Sequence, residues 1–139
     1  MLYILPRLRL RFRSACVHEL TYHTFLRGNT ENEPELSPEK LRKATVPIVD
    51  REICDSRYLK EWQEEWGQVN MTEAITDNMI CAGPSDIYRG TCFGDSGGPA
   101  LLGSQVVGLA SFTMGCNDAY FPAVSTRVGK YVDWIKKNM

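Results

Sequence analysis

The sequence predicts a small all-β domain that ends in a single α-helix. In the second half of the chain, short apolar or β-branched runs alternate with breaks that contain Gly or Pro, which is typical of a small β barrel. The last residues instead place apolar side chains at helical spacing. The composition of the 139 residues, 43% hydrophobic and 24% charged with a net charge of -1, argues against a collagen-like, coiled-coil or wholly disordered chain and against nucleic-acid binding.

The first 27 residues do not follow this pattern, and we expect them to lie outside the domain. Residues 1–13 carry four arginines and no acidic residue. Pro6 interrupts their apolar run, which excludes a standard secretory signal peptide, and the alternating Arg and Leu residues fit the helix of a mitochondrial presequence poorly. We interpret residues 1–27 as a disordered segment or a mis-spliced start, followed by a loop at residues 28–40.

The elements of the domain then follow in order. Residues 41–49 predict a strand, and Asp50 is placed to cap a short helix that ends near residue 58. Trp62 and Trp66 lie four residues apart in a polar stretch and indicate either an exposed binding surface or, as we prefer, a helical turn that docks on the body. Further strands are predicted at residues 78–83, 99–103, 105–113 and 122–128. An amphipathic C-terminal helix is predicted from three apolar residues at intervals of four and three, Val128, Val132 and Ile135.

The stretch TCFGDSGGP, from Thr91 to Pro99, carries the candidate chemistry. A serine hydroxyl is a useful nucleophile only when a base takes its proton and N–H groups stabilise the oxyanion that forms. Ser96 follows an acid and precedes two glycines, which let the backbone approach a substrate closely. From these residues alone, a Gly-rich turn between strands is at least as good an interpretation as a nucleophile loop.

The segment GDSGGP, with Cys92 two residues before it, resembles the nucleophile loop of the trypsin/chymotrypsin family of serine peptidases. The resemblance continues in the family's order through TVPIVDREIC, NMICAG, the Ser111-Phe112 pair before Gly115-Cys116, PAVSTRV and YVDWI. It covers residues 28–139 and implies the C-terminal barrel of the two-barrel chymotrypsin fold. We therefore expect a six-stranded antiparallel Greek-key barrel with a C-terminal α-helix, and a first barrel that is missing.

The resemblance implies a serine endopeptidase that works through an acyl-enzyme, with Ser96 as its nucleophile. The backbone N–H groups of Gly94 and Ser96 match the family's oxyanion hole. Asp95 matches the acid that pairs with a new N-terminal amine when the zymogen is cleaved. The implied disulfides, which leave Cys16 unpaired, are Cys54–Cys81 and Cys92–Cys116.

A substrate pocket is implied at Gly90, Thr91, Ser111, Phe112, Thr113 and Ala123. Ser111 to Thr113 match the strand that hydrogen-bonds an extended substrate. Trypsin-like members carry an aspartate six residues before the nucleophile, where this chain has Gly90, so a cationic substrate side chain would lack a counter-charge. Thr113 and Ala123 stand where wide pockets carry glycine. We therefore expect a chymotrypsin- or elastase-like preference for uncharged residues of small or medium size.

The family's general base and its aspartate belong to the first barrel. His18 and His23 lack the Ala-Ala-His-Cys type context of that base, and we find neither the activation site nor the Gly-Trp-Gly segment that starts the second barrel. We therefore expect the 139-residue chain alone to be inactive and poorly stable. Two interpretations stay open: a serine endopeptidase represented by a partial chain, which the intact nucleophile loop favours, and a non-catalytic homologue that acts as a binding or decoy module.

The resemblance implies polypeptide substrates and protein protease inhibitors as partners, a secreted location, and a monomer when complete. No cofactor, metal ion, nucleic acid or membrane is expected as a partner. The sequence Asn70-Met71-Thr72 is an N-glycosylation sequon, which has meaning only in a secreted chain.

Overall fold

Six antiparallel strands form a closed barrel in a computed structural model that describes residues 21–26, 41–67, 70–83, 90–116, 118 and 120–139. The strands are β1 (Thr21–Leu26), β2 (Arg42–Val49), β3 (Met79–Ala82), β4 (Pro99–Leu102), β5 (Gln105–Phe112) and β6 (Ala123–Arg127). Their hydrogen-bonded order is β1-β2-β3-β6-β5-β4, and β4 returns to pair with β1. The predicted barrel is confirmed, and the strands predicted from residue 41 onward match β2 to β6 within one residue at each end.

Strand β1 lies within the segment that we expected to stand outside the domain. It pairs along its whole length with β2, from Thr21 opposite Pro47 to Leu26 opposite Arg42, and two of its residues pair with β4. The barrel therefore begins before residue 28. The sequence did not predict this strand because its residues have no clear period, and its pairing partners determine it. Residues 1–20 and the loop predicted at residues 28–40 lie outside the described residues.

Helix α1 (Arg51–Glu64) crosses from β2 toward β3 and is longer than the sequence predicted. It begins where we expected, because the Asp50 carboxylate accepts the N–H groups of Glu52 and Ile53 at 2.9 and 3.2 Å. Its inner face repeats every four residues, at Cys54, Tyr58 and Trp62, and this spacing carries the helix past residue 58. The predicted helix ended too early because polar residues on its outer face make this stretch polar in composition.

Among the side chains that the structure describes, the buried core has two parts. One lies between α1 and the barrel wall and is built from Cys54, Tyr58, Ala74, Ile75, Cys81 and Val124. The other joins small side chains of β2, β3 and β4, namely Ala44, Val46, Ala82 and Ala100. The disulfide Cys54–Cys81 joins α1 to β3 inside the first part, as the family resemblance implied.

The predicted C-terminal helix is present as α2 (Val132–Asn138) and follows a short 3-10 turn at Val128–Lys130. No residue of α2 is buried, and Trp134 is 66% exposed. Val132 and Ile135 are half-buried and the other residues of α2 are exposed, so the apolar residues that predicted the helix form its less exposed face. Two lysines lie in its last turn, where positive charge interacts favourably with the negative end of the helix dipole.

Candidate active site

A cavity of about 200 Å³ opens where the nucleophile loop faces the end of β5. One side is formed by residues 91–94 and Ser96, and the other by residues 110–113. The structure thus brings together the expected nucleophile, one expected oxyanion glycine and the expected substrate strand. Gly90 and Ala123 do not line this cavity: Ala123 is 8% exposed and lies in β6 opposite Ala82.

The backbone of the nucleophile loop is held by four hydrogen bonds. The N–H of Asp95 donates to the carbonyl of Cys92 at 3.2 Å, and the N–H of Gly98 donates to the carbonyl of Asp95 at 2.9 Å. The N–H of Gly97 donates to the carbonyl of Ala110 at 2.7 Å, and Ala110 returns a bond of 2.9 Å to Gly98. These bonds fix the loop against β5.

Some N–H groups of the loop take no part in this network, and two of them match the oxyanion hole that the family resemblance implies. Those of Gly94 and Ser96 meet no acceptor among the residues that the structure describes. Gly94 and Gly97 have φ angles of 90° and 80°, a left-handed conformation that side chains disfavour, so these turns need glycine. Because hydrogen bonds hold the loop against β5 and both donors lack an acceptor there, these N–H groups are available to a developing oxyanion.

Ser96 lies exposed at the cavity, and its Oγ donates a long hydrogen bond of 3.4 Å to the carbonyl of Ser111. Asp95, directly before it, is 5% exposed and turns under the loop, where its Oδ2 accepts the N–H of Cys92 at 2.9 Å. No histidine lines the cavity in the described part of the chain. His23 lies in β1 opposite Leu101, and His18 falls outside the described residues.

The disulfide Cys92–Cys116 ties the nucleophile loop to the segment after β5, with 4.5 Å between the two Cα atoms. Both disulfides implied by the resemblance are therefore present. This one connects the two sides of the cavity, because Cys92 follows Thr91 on one side and Cys116 follows the substrate strand on the other.

Comparison with known proteins agrees with this geometry. The trypsin family model matches residues 18–135. The chain belongs to the trypsin family of serine peptidases. The match begins before residue 28 and takes in strand β1, in agreement with its place in the barrel.

Three trypsins illustrate the similarity. The chain is 46% identical over 100 residues to Trypsin Blo t 3 of Blomia tropicalis, across 71% of this chain and 34% of that protein. It is 39% identical over 110 residues to Trypsin 5G1 of Aedes aegypti, across 79% and 37%. It is 35% identical over 112 residues to Trypsin I-P1 of Gallus gallus, across 81% and 40%. The chain therefore spans only 34% to 40% of the length of these trypsins.

Tyr58 lies under the cavity wall, next to Thr113 and Met114, and the sequence did not single this residue out. It is fully buried, and its hydroxyl donates to the carbonyl of Pro122 at 2.8 Å. Burial raises the pKa of Tyr58 to about 12, against the opposing effect of hydrogen bonds with Met114 and Thr113. The Tyr58 hydroxyl thus joins two segments, the one that follows the substrate strand and the one that precedes Ala123. Its spacing of four from Cys54 was the available signal.

Aromatic rings extend from the cavity along α1. The Phe112 ring lies 5.6 Å from Tyr58 and 6.0 Å from Trp62 between centroids, and Trp62 stacks on Trp66 at 6.3 Å. Trp62 is half-buried against the core, as docking of this turn predicts, whereas Trp66 is 60% exposed.

Among the described residues, no helix has the length and apolar character needed to cross a membrane.

Proposed function

We propose that this chain carries the nucleophile, the oxyanion hole and the substrate-binding strand of a secreted serine endopeptidase. The observation that carries the proposal is the exposed Ser96 on a hydrogen-bonded loop with two unused N–H groups, those of Gly94 and Ser96 itself. Membership of the trypsin family supports it, and so does the position of Ser111 to Thr113, the expected substrate strand, along the cavity.

In the proposed reaction, Ser96 Oγ attacks the carbonyl carbon of a peptide bond while a general base takes its proton. The negative charge on the carbonyl oxygen is stabilised by the N–H groups of Gly94 and Ser96. The C–N bond then breaks, the amine leaves with the proton from the base, and an acyl-enzyme remains. Water attacks this ester, and Ser96 recovers its proton.

The general base is proposed to come from the family's first barrel, because His18 and His23 lack the family context of a base. We therefore propose that the 139-residue polypeptide alone is inactive. The test compares the purified 139-residue chain with its Ser96→Ala variant on a small apolar p-nitroanilide. No release by either chain is expected. Hydrolysis by the unmodified chain that disappears in Ser96→Ala would contradict the proposed inactivity.

We further propose that the substrate residue before the cleaved bond is uncharged and of small or medium size. No acidic side chain lines the cavity in the described part of the chain, and burying an unpaired cation is costly. Thr113 adds a side chain to the cavity wall, which leaves less room for a large substrate residue.

The deciding experiment treats the native protein with two active-site phosphonates that differ only in this residue, one valine-like and one lysine-like. Labelling by the valine-like probe is expected, and native protein already treated with a serine-reactive sulfonyl fluoride is the control. Preferential labelling by the lysine-like probe would refute the uncharged preference while leaving the peptidase intact.

The second candidate is a non-catalytic homologue that binds polypeptides as a decoy. It is favoured by one observation, that no imidazole lines the cavity in the described part of the chain. Folded native protein that takes up neither phosphonate would support the decoy and count against the peptidase.

A further inference from the structure

We propose that Asn70 is an N-glycosylation site, on the turn that leads from α1 toward β3. The inference rests on the secreted location included in the proposed function. Asn70-Met71-Thr72 is the sole Asn-X-Ser/Thr sequence in the 139 residues, and such sequences are acceptors when they lie in surface loops of secreted proteins. The structure supplies the conditions that the sequence pattern cannot show.

The three residues of the sequon are oriented as an acceptor requires. Asn70 and Thr72 are exposed, whereas Met71 between them is half-buried and packs against the core beside α1. The Met71 carbonyl accepts a hydrogen bond of 2.9 Å from the Gln63 side chain of α1. Because Met71 is held inward, the acceptor amide and the recognition hydroxyl stand on the outer surface together.

The chain on the far side of the sequon is also anchored. The Asp55 carboxylate accepts the N–H groups of Ala74 and Ile75 at 2.7 and 2.6 Å. Asn70 and Thr72 belong to no helix or strand, so modification breaks no backbone hydrogen bond of a regular element. A glycan at Asn70 is therefore compatible with the folded structure, since the anchors lie on Met71 and on residues 74–75 and not on the acceptor side chain.

The transfer would form a bond between the side-chain nitrogen of Asn70 and C1 of the first sugar. The donor is an oligosaccharide linked to a polyprenyl diphosphate, and its bond between C1 and the diphosphate oxygen breaks. The amide loses one proton, and the polyprenyl diphosphate leaves with the electron pair of that bond. No oxidant or reductant is needed.

The chain contains a matched internal control. Asn78 is exposed, like Asn70, and lies in a turn directly before β3. The residue two positions after Asn78 is Ile80 and not a serine or threonine. We expect Asn70 to be modified and Asn78 to be unmodified in the same molecules, so accessibility alone does not explain the difference.

The test uses the native protein, digested and treated with peptide N-glycosidase in heavy-oxygen water, with an enzyme-free digest as the control for spontaneous deamidation. Conversion of Asn70 to labelled Asp, with Asn78 unlabelled, is the expected result. The full 139-residue chain, secreted from eukaryotic cells behind a heterologous signal sequence, provides the second measurement. Its Thr72→Ser variant should keep the glycan, and Asn70→Gln and Thr72→Val should both lose it.

The outcomes separate this inference from the proposed function. Unmodified Asn70 in extracellular protein that the phosphonate labels overturns the glycosylation site and leaves the peptidase standing. A glycan at Asn70 in folded protein that takes up no phosphonate supports the site and counts against the peptidase. Equal labelling of Asn70 and Asn78 overturns the sequon as the cause.

Discussion

Replacing Tyr58 by phenylalanine tests how α1 holds the candidate active site. The side chain is fully buried, and its hydroxyl donates to the Pro122 carbonyl at 2.8 Å. Tyr58→Phe removes this bond and leaves the carbonyl oxygen without its donor, while the ring contacts with Phe112 at 5.6 Å and Phe121 at 5.3 Å are retained. A buried neutral hydrogen bond contributes about 1 kcal/mol, so we expect a loss of about 1–2 kcal/mol at neutral pH.

The pH dependence gives a sharper test, because the pKa of Tyr58 is raised from 10.0 to about 12 in the folded chain. Below pH 10 both folded and unfolded states are protonated, and stability is unaffected. Between pH 10 and 12 the unfolded chain releases the proton and the folded chain keeps it, so the free energy of unfolding falls as pH rises. A shift of this size corresponds to about 3 kcal/mol once the pH exceeds the folded pKa.

Tyr58→Phe loses a hydrogen bond, which lowers its free energy of unfolding, but it also loses the ionisation that destabilises wild type at high pH. Wild type should be more stable than Tyr58→Phe at pH 7, and the two should become equally stable near about pH 11. The assay is urea denaturation of both proteins at several values between pH 7 and 12, with Tyr131→Phe, at a 39% exposed tyrosine, as the control. Equal dependence on pH in wild type and Tyr58→Phe would refute the reasoning.

Three further changes test the fold and the loop. Asp50→Ala removes the cap of α1 and should cost about 1 kcal/mol in urea denaturation; an unchanged midpoint would contradict the cap. Gly108→Ala places a Cβ 3.1 Å from that of Ser125 and should cost about 1–3 kcal/mol in the same assay; full stability would mean that the barrel widens at no cost. Replacing both Cys92 and Cys116 by serine should lower stability by about 3 kcal/mol and abolish phosphonate labelling in the complete protein; unchanged labelling would show that the loop needs no tether.

The sequence predicted most of the barrel and the position of the nucleophile loop. Strands β2 to β6 were predictable because Gly and Pro residues mark their ends and apolar or β-branched residues fill them. The loop was predictable because Gly94 and Gly97 are needed for its turns, and a family motif preserves them. Cys92–Cys116 followed from the resemblance and not from spacing.

The sequence did not predict what depends on distant partners. Strand β1 is determined by β2 and β4, and its own six residues carry no clear alternation. The length of α1 depends on packing of Tyr58 and Trp62 against Phe112, a residue 50 or more positions away. The absence of Gly90 and Ala123 from the cavity lining could not be inferred from alignment with a motif, because it depends on the three-dimensional path of the wall segments.

The seam between β1 and β4 has a consequence for how the chain folds. It pairs Thr24 with Ala100, whereas the adjacent hairpin pairs Leu102 with Gln105. Closing a long loop costs more entropy than forming a hairpin, so the seam is expected to form late. Neither disulfide of the described residues encloses β1, and oxidation therefore does not bring it to its partner. Until the seam closes, β1 and β4 each present a free strand edge to other chains, so aggregation competes with the last step of folding.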